Sequence, residues 1–190
     1  MVVPLEIIVL DGDLIVNVGK DLSAIECQFQ VASQILWNAS SSFRASFGPK
    51  SQFASAVKLR AGQLREIEMD DDAEAMGLVL RILCLKHKTL PQAVELDVLA
   101  NIAIIADKYE LEDAVGPAVK VWAVEHDGLQ DEYDDVGCRE WLLITWVFRF
   151  EEWFTEVTNT ASFSPKHFLD AFDDLPQLAV LVGNEVRCYS

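Results

Sequence analysis

Between Leu96 and Tyr109 the apolar residues recur at steps of three and four. Leu96, Leu99, Ile102, Ala103, Ala106 and Tyr109 share one stripe, which Ile104 and Ile105 widen. The spacing predicts a helix over 96–109 that is covered on more than one side. A second helix is predicted from Ala73 to about Leu85, with Met76, Leu80, Leu83 and His87 on one stripe and Leu78, Val79 and Ile82 filling much of the rest. Asp71 or Asp72 supplies its N-cap, and Glu74 lies near the positive end of its dipole. Leu90-Pro91 marks the break after it. Glu112 to Val124 reads as a further helix with Ala114, Ala118, Val121 and Trp122 on its stripe, interrupted near its start by Gly116-Pro117. Ser33 to Ala39 and Ser42 to Phe47 read as two short helices broken by serines, the second ended by Gly48-Pro49.

The strand-like runs are shorter. Leu14 to Val18 and Cys27 to Val31 are β-rich and separated by Gly19-Lys20-Asp21, which suits a hairpin reversal. Glu66 to Met69 is strand-like. Leu5 to Leu10 is apolar on both faces, so a partner or cover is expected for it. Lys50 to Gly62 reads as a loop. From Glu125 to Gly137 six carboxylates and two glycines outnumber the apolar residues, which makes this the linker of the chain. Beyond it the composition turns aromatic: Trp141, Trp146, Phe148, Phe150, Trp153 and Phe154 fall on a helical segment. Ser164-Pro165 and Leu175-Pro176 each open another helix.

These elements predict an α+β fold: a small, mostly helical domain over residues 1–124 with about three to five short strands against five or six helices. An acidic linker over 125–137 and a C-terminal helical extension over 138–190 follow. Leu36, Phe43, Phe47, Leu80, Leu83, Leu99, Ile102, Ala106 and Tyr109 are the expected core. At 190 residues, 51% of them apolar, the chain can bury a full core as one domain plus an appendage.

Charge narrows the partners. The net charge is −16, yet the first 60 residues hold five acids and five bases, which leaves 26 acids against ten bases beyond them. A surface of that sign repels phosphates, and no basic stripe offsets it, which argues against direct nucleic-acid binding. Cys27, Cys84, Cys138 and Cys188 are scattered with no close pair, so reduced thiols in the cytoplasm or nucleus are expected rather than a disulfide framework. The N-terminal run lacks a basic lead, and the uncharged, mostly apolar run from Trp141 to Phe148 spans eight residues. A membrane helix needs about 20, so no membrane association is expected.

No catalytic constellation is visible. Cys84 and His87 lie three apart, but a zinc site wants three or four ligands at close spacing, and no second pair is offered. Asp70-Asp71-Asp72 lacks the alternating ligands, glycine and terminal glutamate of a calcium loop, and helix capping accounts for it. The Glu132 to Asp135 cluster reads as a solvated loop, and His126 and His167 stand alone. There is no nucleophile elbow, dinucleotide fingerprint or phosphate loop. No catalytic, cofactor-binding or metal-binding residue is assigned, and an enzyme is not expected.

The helix end Ala106-Asp107-Lys108-Tyr109-Glu110-Leu111 resembles the fourth helix of a BTB/POZ domain. From Phe29 the chain is similar to a second block of that family, with Phe29, Val31, Leu36, Ser40, Phe43 and Phe47 in place. Asp11-Gly12-Asp13-Leu14-Ile15-Val16 resembles its opening strand, and Asp70 to Met76 the acidic lead into its central helix. The wording is closest to BTB domain-containing proteins of filamentous fungi, and the resemblance covers roughly residues 11–124. It implies a non-enzymatic protein-protein interaction module that homodimerises and serves as adaptor or scaffold. The implied dimer interface comprises Leu5, Ile7 and Val9 of an N-terminal strand, within residues 1–10, with Ile35, Leu36 and Trp37. Two other uses of the fold are implied. As a substrate adaptor of a cullin-RING ubiquitin ligase it would present a partner loop; the nearest segment is Phe53-Ala54-Ser55, where serine stands in place of the family glutamate. As a transcriptional co-regulator it would use a charged pocket; Asp13 is kept, but Ala32 and Ser33 stand where the histidine and arginine would be.

Overall fold

The computed structural model describes residues 3–19, 25–47, 64–126 and 135–161. Four strands form one sheet: β1 (Leu5–Ile7), β2 (Leu14–Val18), β3 (Cys27–Val31) and β4 (Arg65–Met69). Their spatial order is β1-β3-β2-β4. β2 and β3 pair antiparallel with Val16 opposite Phe29, while β4 runs parallel to β2 and β1 parallel to β3. Strand alternation sends Leu14, Val16, Val18, Phe29, Val31, Ile67 and Met69 to one face, where all are buried. Gln28, Gln30, Glu66 and Glu68 take the opposite face. There Asn17, buried in the central strand, accepts from the Gln28 amide at 2.7 Å and donates to Glu66 at 3.4 Å. The expected strand over 5–10 is thus only three residues long. At its end the amides of Ile8 and Val9 both reach the Gln30 carbonyl, and Gly12 donates to Val9 at 3.0 Å, which turns the chain into β2.

Five helices complete the first part of the chain: α1 (Ser33–Ala39), α2 (Ser41–Phe47), α3 (Ala73–Leu83), α4 (Leu96–Tyr109) and α5 (Glu112–Glu125). Ser40 separates α1 from α2 in extended conformation, and its hydroxyl accepts from the Phe43 amide at 2.9 Å. Asp72, not Asp71, caps α3, accepting from Ala75 N at 2.9 Å. α3 lies on the sheet closely enough that a Cβ at Gly77 would sit 3.0 Å from Phe29 Cζ. It stops short of the expected end because Leu85 turns left-handed at φ 58°, and Lys86 N bonds back to Arg81 O at 2.8 Å. His87 therefore leaves the stripe and stands exposed in a separate 3-10 turn, and Leu83 is half-buried.

α4 has the predicted bounds, with Leu99, Ile102, Ala103, Ile105 and Ala106 buried, although Ile104 is exposed. α5 differs from expectation twice. It runs unbroken through Pro117, whose missing amide leaves only the Asp113 carbonyl, in the first turn, without its helical donor. Its inward stripe is Val115, Val119, Trp122 and Ala123, while Ala114 is exposed and Val121 is 65% exposed. Trp122 sets this rotation, because its indole N–H donates to the Pro91 carbonyl at 3.0 Å. The His126 ring, one residue past the helix, contacts the Val94 carbonyl at 2.7 Å. Phe47, expected in the core, has its side chain outside the described residues.

The chain divides into two compact units, Met1–Gly128 and Leu129–Ser190. Of the expected linker over 125–137, Glu125 belongs to α5 and residues 135–137 are helical, while residues 127–134 lie outside the described residues. The second unit contains α6 (Asp135–Val147) and α7 (Glu151–Ala161), two helices where one aromatic segment is predicted. Arg149, left-handed at φ 55°, makes the turn between them. Trp141 meets Trp153 edge-on at 6.4 Å, Phe150 meets Trp153 edge-on at 5.1 Å, and Trp146 contacts Phe154 at 5.9 Å. Aromatic packing of this geometry holds the hairpin of helices closed. The helix starts predicted at Ser164-Pro165 and Leu175-Pro176 lie outside the described residues. Among the described residues no helix is long and apolar enough to cross a membrane.

Candidate interaction surface

Among the described residues β1 is the outermost strand on its side of the sheet, and it is fixed to its own chain at two places. Parallel pairing sets Leu5 opposite Gln28, Glu6 opposite Phe29 and Ile7 opposite Gln30. Glu6 faces the helices, where Arg81 of α3 donates to it from Nε at 3.0 Å and Nη2 at 2.6 Å. A two-point guanidinium-carboxylate contact fixes direction as well as distance. Leu5 and Ile7, on the other face, are 50% and 53% exposed, and Val9 is half-buried.

The α1 members of the expected interface have another setting. Ile35 and Trp37 are half-buried, whereas Leu36, at 1% exposure, belongs to the core of the chain. The Arg65 guanidinium of β4 lies 5.3 Å from the Trp37 ring centroid, and Arg44 Nε donates to the Trp37 carbonyl at 2.8 Å. Trp37 thus stands by the Arg65 side chain of β4, the strand at the opposite end of the sheet order from β1. The structure does not gather the six residues into one patch: β1 is tied to β3 and α3, while α1 packs on α2 and α3. Phe53, Ala54 and Ser55 lie outside the described residues.

Asp13 anchors the start of α1. Its two carboxylate oxygens accept from the Ser33 amide and the Ser33 hydroxyl, both at 2.7 Å. Burial pushes its proton affinity up, but the two Ser33 hydrogen bonds outweigh this and hold the carboxyl below its ordinary range. The serine at the arginine position of the resembled pocket is therefore the group that engages this aspartate, at the first turn of α1.

At the end of α4 the Ala-Asp-Lys-Tyr segment meets three other elements. The Tyr109 hydroxyl donates to Asp71 at 2.7 Å, and Lys108 Nζ reaches Asp71 at 2.9 Å and Asp70 at 2.6 Å. Lys108 also lies 5.1 Å from the Tyr109 ring centroid. The Tyr109 ring stacks on Phe43 of α2 at 4.6 Å, and the Ser40 hydroxyl donates to the Tyr109 carbonyl. Glu110 takes the left-handed conformation at φ 55°, so that Leu111 N returns to Ala106 O at 2.8 Å and Leu111 is buried. Burial, followed by the Asp71 hydrogen bond, raises the Tyr109 hydroxyl well above its ordinary value. For Lys108 burial works downward, yet hydrogen bonds to Asp70 and Asp71 leave it raised. Ammonium and phenol both keep their protons at neutral pH, so both donate to the Asp70 and Asp71 carboxylates and clamp the end of α4 to the start of α3.

The two thiols among the described side chains, Cys27 and Cys84, are held protonated. Burial raises Cys84, and it raises Cys27, whose Sγ lies 3.6 Å from the Pro4 carbonyl. A raised thiol holds little thiolate and is a weak nucleophile. Among the described residues no group of three or more His, Cys, Asp or Glu side chains is placed to hold a metal ion.

Two residues of this surface were hidden in the sequence. Glu6 is visible as the lone charge in an apolar run, but its partner Arg81 lies 75 positions away. Asp71 is legible as part of a capping cluster, whereas its bond to Tyr109 depends on how α4 lies against the start of α3. No family model matches the chain, and no curated protein matches it.

Proposed function

We propose that this protein is a non-catalytic interaction module of the BTB/POZ type that self-associates and serves as an adaptor or scaffold. One observation supports the reading most: the segments that carry the resemblance follow one another through a connected α+β arrangement. The opening block enters β2, the Phe29–Phe47 block spans β3, α1 and α2, the acidic lead caps α3, and the Lys-Tyr segment closes α4 on α2. This is an argument from fold to function by analogy. Sedimentation velocity over a concentration series tests it, with assembly toward twice the 21.2 kDa chain mass expected. A chain that stays monomeric into the high micromolar range overturns self-association.

The α6–α7 helix pair favours a second reading, because the cullin-binding members of the resembled family carry an added helix pair behind the domain. Retention of the protein by an immobilised cullin N-terminal domain is the expected result under that reading, and no retention at high micromolar concentration ends it. The capping of α1 by Asp13 lends no support to a corepressor pocket.

A further inference from the structure

α3 ends in a turn whose charge departs from that of the acidic chain around it. From Ala75 to Val94 the sequence has no aspartate or glutamate, although 26 acids lie beyond residue 60. Lys86, His87 and Lys88 fall within this stretch, and all three are exposed. Arg81, on α3, is held by Glu6, but among the described residues no carboxylate is salt-bridged to Lys86, His87 or Lys88. The turn is a local excess of positive charge.

Leu85 opens this basic run, and folding alone gives no reason for a leucine there. Its side chain is 77% exposed, and its backbone is left-handed at φ 58°, where glycine meets no steric penalty. Strained residues of this kind persist where the surrounding structure over-determines them, and they cluster at sites that hold a ligand. The surroundings of Leu85 meet that condition. Leu85 N donates to Ile82 O at 3.0 Å and Lys86 N to Arg81 O at 2.8 Å, while Thr89 gives the Lys86 carbonyl its amide at 2.9 Å and its hydroxyl at 2.7 Å. Further along, the Trp122 indole ties Pro91 to α5. An apolar side chain and three basic ones thus project from a fixed support.

We infer that this turn is a docking knob for an acidic segment of a partner protein, one in which an apolar side chain is flanked by carboxylates. Leu85 packs on the apolar side chain, and Lys86 and Lys88 pair with the carboxylates. Complementary charge selects the sign of the partner, and Leu85 selects its class. A nucleic-acid backbone offers phosphates without an apolar counterpart for Leu85, and as an extended polyanion it is repelled by the rest of the −16 chain. An anionic membrane meets the same repulsion across a whole plane. A short peptide responds mainly to charges within about 8 Å, the screening length at physiological salt. The inference goes beyond the self-association proposed above and does not depend on it.

The test titrates the isotope-labelled full chain with short synthetic peptides in which a central leucine, phenylalanine or tryptophan is flanked on both sides by aspartates and glutamates. Amide resonances of residues 85–90 should move, with a dissociation constant on the order of 100 μM, because exposed ion pairs are individually weak. Added salt should weaken the binding, as should alanine at the centre of the peptide. Lys86→Glu/Lys88→Glu should raise the dissociation constant by about tenfold or more, and Leu85→Gly by about tenfold. Glycine relieves the left-handed strain, so binding lost in Leu85→Gly is not lost folding; circular dichroism checks the lysine pair. Peptides that move no resonance of residues 85–90 at millimolar concentration, or that bind both variants as tightly as the unsubstituted chain, overturn the inference. Tighter binding to phosphatidylserine vesicles or to duplex DNA than to any of the peptides, lost in the lysine variant, also overturns it and assigns the knob to another class of partner.

Discussion

Tyr109 serves as ring, hydroxyl and backbone carbonyl at once, toward Phe43, Asp71 and Ser40 respectively. Tyr109→Phe keeps the stack but leaves the buried Asp71 with one partner fewer, and should lower unfolding free energy by about 1–2 kcal/mol in urea denaturation. Gly12 is constrained from the opposite direction, by space: a Cβ there would lie 2.6 Å from the Val31 carbonyl oxygen. Backbone cannot yield as a side-chain tip does, so Gly12→Ala should cost about 1–3 kcal/mol by the same measurement. Asp13 gives a dependence on pH. Its folded carboxyl holds a proton less tightly than the unfolded one, so the unfolded chain binds more protons and stability rises with pH. This contribution is complete above the ordinary value of about 4 and is lost as pH falls through the lower folded value. Asp70, held low by its Lys108 hydrogen bond, acts in the same direction. Thermal melts between pH 5 and 2 should show the loss, and Ser33→Ala should flatten it.

At the level of elements, helix ends decide more than helix middles. Among the described residues, three that are not glycine, Leu85, Glu110 and Arg149, take left-handed conformations, and each terminates or joins helices. Glycine meets no steric penalty there, whereas an L side chain is strained by about 1–2 kcal/mol. Leu85 is 77% exposed and loses little packing when removed. Leu85→Gly should therefore stabilise the chain, by about 1 kcal/mol, read as a rise in denaturation midpoint at constant slope. The stop after α3 was illegible because a leucine, not a glycine, occupies the position. The α4 end was legible as a boundary from its charged cluster, though the left-handed role of Glu110 was not. On α5 small residues fit either face, so Ala114 and Ala118 carried no decision about rotation; the Trp122 bond to Pro91 made it.

For the whole molecule, the unit Met1–Gly128 contains the sheet and α1 to α5 with their shared core. A domain of that size buries enough surface to fold alone. A fragment ending at Gly128 should keep a mixed helix and strand circular dichroism spectrum and unfold in one cooperative transition on heating. Loss of that transition would mean that residues beyond Gly128 are needed for the fold. The charge asymmetry belongs to this scale as well, since it leaves the N-terminal segment as the balanced part of an acidic chain.

By itself the sequence determined the α+β class, the order of strands and helices, the α4 bounds and most of the core, including Leu36, Phe43, Leu80, Leu99 and Ile102. These follow from periodicity and local stereochemistry, which act over a few residues. The tertiary structure decided the parallel seat of β1 on β3, the Glu6–Arg81 contact, the division of labour between Asp71 and Asp72, and the placement of Trp37 by Arg65 of β4. Apart from the Asp72 cap, each joins positions far apart in the chain, where a residue's type states what it can bond and only the packing of elements states what it meets.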